Sequence, residues 1–299
     1  MRAAVVRTFG GPEAVEIVET AVPEPGARQV RIKVAATALN PVDAGVRAGA
    51  FGGAGKQLGL GWDVAGTVDA IDVAAAWDVG DEVVALHHGV TGPLGAHAEY
   101  VVVDTDAVAQ APAGVDAAHA ATLPLNGLTA VQALDLLEPV APVRSLLVTG
   151  AAGAVGGYAV QLAAHRGVAV TALARAADAD LVRSLGAERL VTDLADLAPG
   201  SVDAVLDAAV LGEPALAPVR DGGGYVGVIP GAEPASVRGV RTASVAVTAD
   251  GARLAELVRL VEEGVLTLRV AETFPLDDAA KAHARLAEGG VRGRLVLVP

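Results

Sequence analysis

The sequence predicts an α/β fold: a doubly wound parallel sheet inserted in a mostly antiparallel β domain. Three observations predict it. Up to about residue 118, short Val- and Ile-rich runs are punctuated by Gly and Pro, as in Gly10-Gly11-Pro12 and Val79-Gly80-Asp81. From 119 to 264, apolar strand-like runs alternate with helix-like runs, the pattern of βαβ units. From 265 the chain returns to β character and closes on GRLVLVP, which is expected to rejoin the first domain. The expected domains are therefore 1–118 with 265–299, and 119–264.

The elements follow in order. MRAAVVR, EAVEIVET, QVRIKVAATAL, VAGTVDAIDV, DEVVALHHG and AEYVVVD read as strands, and PVDAGVRAG, from Pro41, as a short helix or turn. DAAHAATLPLNGLTAVQALDLLE reads as helix with a break at Pro124. RSLLVT, VAVTALA, ERLVT, VDAVLDAAV, GGYVGVI and TASVAV are further strands. AVGGYAVQLAAHR, ADADLVRSLG and GARLAELVRLVEEG are helices, the last with Leu254, Leu257, Val258 and Val261 on one face.

Composition narrows the function. The chain has 299 residues, 53% hydrophobic but only 3% aromatic, so Ala, Val and Leu must fill the core. A formal net charge of -13 with no basic cluster argues against nucleic acid and against an anionic membrane surface. Cysteine is absent, which excludes disulfides and thiolate-ligated zinc. No signal-like h-region and no long uninterrupted apolar run is read, so the expected location is cytoplasmic.

The stretch VTGAAGAVGGYAVQLA, residues 148 to 163, joins strand RSLLVT to the next helix through a turn almost without side chains. Gly150, Gly153 and Gly156 are spaced G-x-x-G-x-x-G. Backbone N–H groups at a helix start bind phosphate, and bare residues let a pyrophosphate approach. With a strand before, a helix after and a βαβ unit following, the turn predicts a Rossmann dinucleotide site across Gly150, Ala151, Ala152, Gly153, Ala154, Val155 and Gly156. NAD-selective sites end the next strand with an acid; here it ends at Arg175, 19 residues beyond Gly156. A cation there pairs with a 2′-phosphate, which points to NADPH; the alternative is a solvated loop arginine. Residues at and beyond the ends of the strands VDAVLDA and GGYVGVI, among them Asp207, Ala208, Val228 and Ile229, are expected to line the cofactor cleft. No G-x-S-x-G elbow and no Gly-Lys-Ser/Thr is present, so a serine hydrolase and a P-loop NTPase are excluded.

GAAGAVG, LNPVDAGVRAG, GWDVAGTV, VGDEVVAL, AEYVVV, LPLNGLTA, SLGAERLV and GVRGRLVLVP together resemble the zinc-independent quinone oxidoreductases of the medium-chain dehydrogenase/reductase superfamily. The blocks span nearly the whole chain. The resemblance implies a GroES-like β domain carrying a Rossmann domain, NADPH as cofactor, and a homodimer. It implies reduction of quinones or of the C=C bond of α,β-unsaturated carbonyl compounds. A redox-neutral cyclase or isomerase, or a noncatalytic NADPH-binding protein, is the alternative on the same scaffold. Zinc is not expected: Asn40 begins the segment where the zinc-dependent branch has Cys, and His87, His88 and His97 form no ligand pattern.

The resemblance also assigns residues. Asn40, Asp43 and Thr129 are the catalytic candidates: Asn40 and Thr129 match positions near the nicotinamide, and Asp43 matches a further family position, where the alternative to reacting is to orient Asn40 or Arg47. Asn40 either donates to a substrate oxygen or is a turn-forming Asn before Pro41; Thr129 is otherwise a helix-interior threonine. Arg294 joins Asn40 and Thr129 as a cofactor contact, and Phe51, Trp62 and His87 are substrate-pocket residues. Two tyrosines frequent in the family are replaced, one by Gly45 and one by Phe51, which suggests a roomier substrate end. Asp193 stands where relatives have Tyr beside the 2′-phosphate, and its carboxylate weakens NADPH selectivity unless it points away. Solvent is the expected proton donor, with His87, His88 and Tyr100 as the side-chain candidates.

Overall fold

The strand Gln29–Leu39 shows how the pattern becomes structure. In the computed structural model, which describes residues 1–72, 76–89, 91–139 and 142–299, Val30, Ile32 and Val34 are buried while Lys33 and Ala35 are exposed. Alternation of this kind marks a strand with one solvated face. From Ala36 to Leu39 every residue is buried, as expected where a strand is covered on both faces.

The chain divides into two compact units: residues 1–125, 248–262 and 268–299, and residues 126–247 with 263–267. The first unit opens with β1 (Arg2–Val6), β2 (Val15–Glu19), β3 (Gln29–Leu39), α1 (Pro41–Arg47), β4 (Leu58–Gly59) and β5 (Asp63–Ile71). It continues through β6 (Glu82–Leu86), β7 (Tyr100–Asp104), β8 (Val108–Gln110) and the short α2 (Ala117–Ala120). The helix α3 (Pro124–Asp135) begins at the junction, and Pro124 at its start is the break read in the sequence.

The second unit holds β9 (Ser145–Thr149), α4 (Ala154–His165), β10 (Ala169–Leu173), α5 (Ala179–Ser184) and β11 (Arg189–Val191). β12 (Val202–Asp207), β13 (Val219–Gly227) and β14 (Arg241–Ser244) complete its sheet. All six strands are parallel, in the order β11-β10-β9-β12-β13-β14. The direction of growth reverses between β9 and β12, so this is a doubly wound Rossmann sheet with its switch point at the ends of those strands. Its core includes Leu147, Val191, Val202, Val205, Val219 and Tyr225.

The chain then returns to the first unit with α6 (Gly251–Glu262), β15 (Val270–Pro275), α7 (Ala279–Ala287) and β16 (Arg294–Val298). β16 pairs antiparallel with β3, closing the sheet β15-β16-β3-β5-β6-β8, with β7 also on β3. This mostly antiparallel body is the GroES-like part. Two features differ from the sequence reading. The helix α6, expected with the parallel sheet, packs on β8: a Cβ at Gly251 would stand 2.4 Å from Val108 O, and Glu262 Oε1 accepts from Ala113 N–H at 2.9 Å. The last segment, read as β, contains α7, whose Ala279 and Ala282 join a core with Leu39, Val46, Leu58 and Leu297.

Candidate functional site

The bare turn lies at the switch point. Gly150 follows β9 with φ +60, a left-handed conformation that suits glycine. Its carbonyl accepts from Gly153 N–H at 2.8 Å, and Gly153 precedes the first residue of α4. A Cβ at Gly156 would stand 2.3 Å from Gly150 O and 2.8 Å from Gly150 C. Gly150 therefore serves the turn and Gly156 the close seating of α4 on it. The amides of Ala154, Val155 and Gly156 open the helix, where no carbonyl of a preceding turn meets them. Ala151 and Ala152 are buried, so methyl groups pack beneath the turn. This is a cradle of the form that binds a pyrophosphate.

Behind it sits a polar cluster that the sequence did not reveal. Thr149 and Asp207, at the ends of β9 and β12, are fully buried. Thr149 Oγ1 donates to Asp207 Oδ1 at 2.5 Å and accepts from Ala209 N–H at 2.9 Å. Asp207 Oδ2 accepts from Tyr225 O–H at 2.9 Å and from Gly212 N–H at 2.8 Å. Burial, reinforced by Asp207, pushes the Tyr225 phenol above its ordinary range. Asp207 was expected to face the cofactor; its carboxylate is instead turned into the protein. Between these anchors Val210 takes φ +58, an outlier for a β-branched residue that costs about 1–3 kcal/mol. Ala208 and Val228 are half-buried, while Val210, Leu211 and Ile229 are exposed.

Arg175 lies exposed just past β10, and among the described residues no ion pair engages it. Asp193, the residue that could oppose it, accepts from Ala195 N–H at 2.9 Å and so caps its own short turn.

In the other unit, Asn40, Asp43 and Arg294 do come together, around a fourth residue. Asn40 Nδ2 donates to Asp63 Oδ2 at 2.6 Å and to Ala38 O at 3.3 Å, and Asn40 Oδ1 accepts from Arg294 Nη1 at 3.0 Å. Both amide hydrogens are thus held inside the protein, and the side chain is buried. The expected donation from Asn40 to a substrate oxygen has no hydrogen left to make it. Asp43 accepts from Asn40 N–H at 2.8 Å and Gly61 N–H at 2.7 Å, tying β3 to the start of α1 and to the loop before β5. Burial pushes its carboxyl up, against the pull of nearby His97 and those N–H groups.

Asp63, missed from the sequence although its GWD motif was visible, is the centre of the cluster. Its Oδ1 accepts from Leu125 N–H at 2.7 Å, in the first turn of α3. Burial raises its carboxyl to about 7, and the charge of Asp43 adds to the rise. Thr129 is buried in α3.

The three pocket candidates separate. Phe51 is exposed, and its ring lies where a side chain at residue 45 would go: a Cβ on Gly45 would stand 3.0 Å from Phe51 Cε2. The two departures from the family pattern are therefore complementary. Trp62 is buried, edge-on to His88 with ring centroids 5.4 Å apart. His87 is half-buried, and burial, then the charge of His88, lowers its pKa. His97 is fully buried with Nε2 3.1 Å from Ala38 O. Among the described residues no group of three or more His, Cys, Asp or Glu is arranged to hold a metal ion.

Comparison with known proteins agrees with the fold. Residues 26–113 match the alcohol dehydrogenase GroES-like domain, and residues 178–297 match a zinc-binding dehydrogenase domain. The NADPH-dependent alkenal/one oxidoreductase of Arabidopsis thaliana chloroplasts is 35% identical over the whole of this chain and 80% of its own. The chain belongs to the quinone oxidoreductase-like family of the medium-chain dehydrogenase/reductase superfamily. The solved quinone oxidoreductase of Coxiella burnetii superposes on this family member with a TM-score of 0.89 at 30% identity, covering 100% of this chain and 99% of that one. A mycobacterial protein solved in complex with NADPH superposes with a TM-score of 0.83 at 28% identity, each chain fully covered. The family assignment makes this protein an oxidoreductase. No helix among the described residues is long and apolar enough to cross a membrane.

Proposed function

We propose that this protein is an NADPH-dependent, zinc-independent reductase of quinones or of the C=C bond of α,β-unsaturated carbonyl compounds. The observation that carries the proposal is the glycine turn at the switch point followed by an exposed, unopposed arginine at the end of the next strand. Gly150, Gly153 and the amides opening α4 would hold the pyrophosphate. Arg175 would hold the 2′-phosphate, and the Asp193 carboxylate, though exposed, is engaged in capping its own short turn. When bound, NADPH supplies the hydride. The absence of cysteine and of any ligand cluster among the described residues supports chemistry without zinc.

The protein's own task is to orient the reactants and limit water. Asp63 and Arg294 fix Asn40 rigidly, so Asn40 acts by shape and not by donating to the substrate. His87, held neutral by burial, gives no proton at neutral pH, and the final proton comes from solvent. The relatives named for quinones and for alkenals support the substrate class. The proposal carries with it a homodimer in the cytoplasm. Titration of wild type and Arg175→Ala with NADPH and NADH tests it. Wild type is expected to prefer NADPH, and the variant to lose that preference through weaker NADPH binding alone. Equal binding of both cofactors by wild type, or an unchanged preference in the variant, would overturn the assignment of Arg175.

A further inference from the structure

We propose that Thr149, Asp207 and Tyr225 are positioning residues that lock residues 208–212 against the glycine turn and so set affinity for the nicotinamide half of the cofactor. This rests on the NADPH reading above.

The three side chains are buried beneath the switch point, and between them they make four hydrogen bonds. Two of these bonds hold backbone N–H groups of the segment that leaves β12, at Ala209 and at Gly212. The segment also runs along the turn: a Cβ at Gly150 would stand 3.2 Å from Ala209 N and 3.3 Å from Ala208 C. Val210, between the two anchors, is held in the left-handed region with its side chain exposed, as is that of Leu211. A valine does not keep that backbone unless its flanks are fixed. The network therefore specifies one path for a short segment with an apolar exposed face.

The topology says which part of a dinucleotide that segment meets. In a doubly wound sheet the two halves of the sheet serve the two nucleotides, across the crevice at the strand ends. Here β9 to β11 carry the glycine turn and Arg175, the features for the adenosine half. β12 to β14 serve the other half, and residues 208–212 leave the first of those strands. Displacing them should disturb the nicotinamide side and spare the adenosine side.

The experiment compares two ligands on the full chain: NADPH, and 2′,5′-ADP as a probe of the adenosine side alone. Thr149→Val removes the donor to Asp207 and the acceptor for Ala209. It is expected to weaken NADPH about tenfold or more while leaving 2′,5′-ADP within about twofold. Thr149→Ser, which restores the hydroxyl, is expected to recover NADPH affinity. Tyr225→Phe, which takes one bond from Asp207, is a second route should the valine variant not fold, and is expected to weaken NADPH selectively but less. NADPH affinity unchanged in Thr149→Val and Tyr225→Phe would overturn the proposal. So would equal weakening of both ligands, which a general loosening of the fold would give. A wild type that binds neither ligand would remove the cofactor reading, and the proposal with it.

Discussion

Replacing Asp63 by Asn should change the stability of the first unit with a sign that depends on pH. In the folded protein the carboxyl titrates at about 7 against an ordinary 3.8, chiefly because it is buried. The unfolded chain releases this proton from about pH 4, while the folded protein keeps it until about pH 7. Stability from this group is therefore lost as pH rises through that window, by about 4 kcal/mol in all. The amide introduced by Asp63→Asn does not titrate. It does, however, face two donors, Asn40 Nδ2 and Leu125 N–H, with one acceptor oxygen, a mismatch that costs about 1–3 kcal/mol. The variant should be less stable than wild type by about 1–3 kcal/mol at pH 4, and more stable by a similar amount at pH 8, where the buried charge is gone. Both tryptophans, Trp62 and Trp77, lie in the first unit, so urea unfolding followed by their fluorescence reports that unit alone. His283 works in the opposite sense. Its pKa falls to about 3 through burial and the charges of His97 and Arg47, so its contribution is lost as pH falls from about 6.5 toward 3. That effect is common to both proteins and cancels in their difference. A stability difference that is constant from pH 4 to 8 would refute the reasoning.

Other outcomes follow from the same structure. His283 Nδ1 accepts from Arg47 Nη1 at 3.0 Å, so the ring should be the neutral Nε2–H tautomer, with NMR shifts constant from about pH 5 to 8. A midpoint near 6.5 would mean that the ring reaches water. Gly156→Ala would place a methyl group 2.3 Å from Gly150 O, where backbone must move. It should cost about 1–3 kcal/mol and abolish NADPH binding; a wild-type melting temperature and affinity would contradict the role of the turn.

Much of the fold was legible because local pattern determines it. The alternation in QVRIKVAATAL marks β3, and strand, bare turn and helix mark the first Rossmann crossover. What was not legible depends on partners distant in sequence. Asp63 meets Asn40 and Leu125 from 23 and 62 residues away, so GWD alone does not show what its acid does. Asp207 was singled out by its place at a strand end, but its direction is set by Thr149, 58 residues earlier, and Tyr225, 18 later. For α6, amphipathic spacing gives the helix but not its neighbour; Gly251, the residue that admits β8, looks like any helix-start glycine. α7 was overlooked because alanines and a histidine make its buried face, a weak apolar signal beside the flanking Val-rich strands.

The central claim is reduction by hydride from NADPH, and isotope transfer tests it most directly. The protein would be incubated with NADPH carrying deuterium at nicotinamide C4, in separate runs with each label face, and an α,β-unsaturated carbonyl compound such as a short 2-alkenal. The account predicts a saturated product with one deuterium on the carbon β to the carbonyl, from one face only, and a hydrogen from water on the α carbon. A product of unchanged mass, or one without label from either face, would contradict it and point to redox-neutral chemistry on this scaffold.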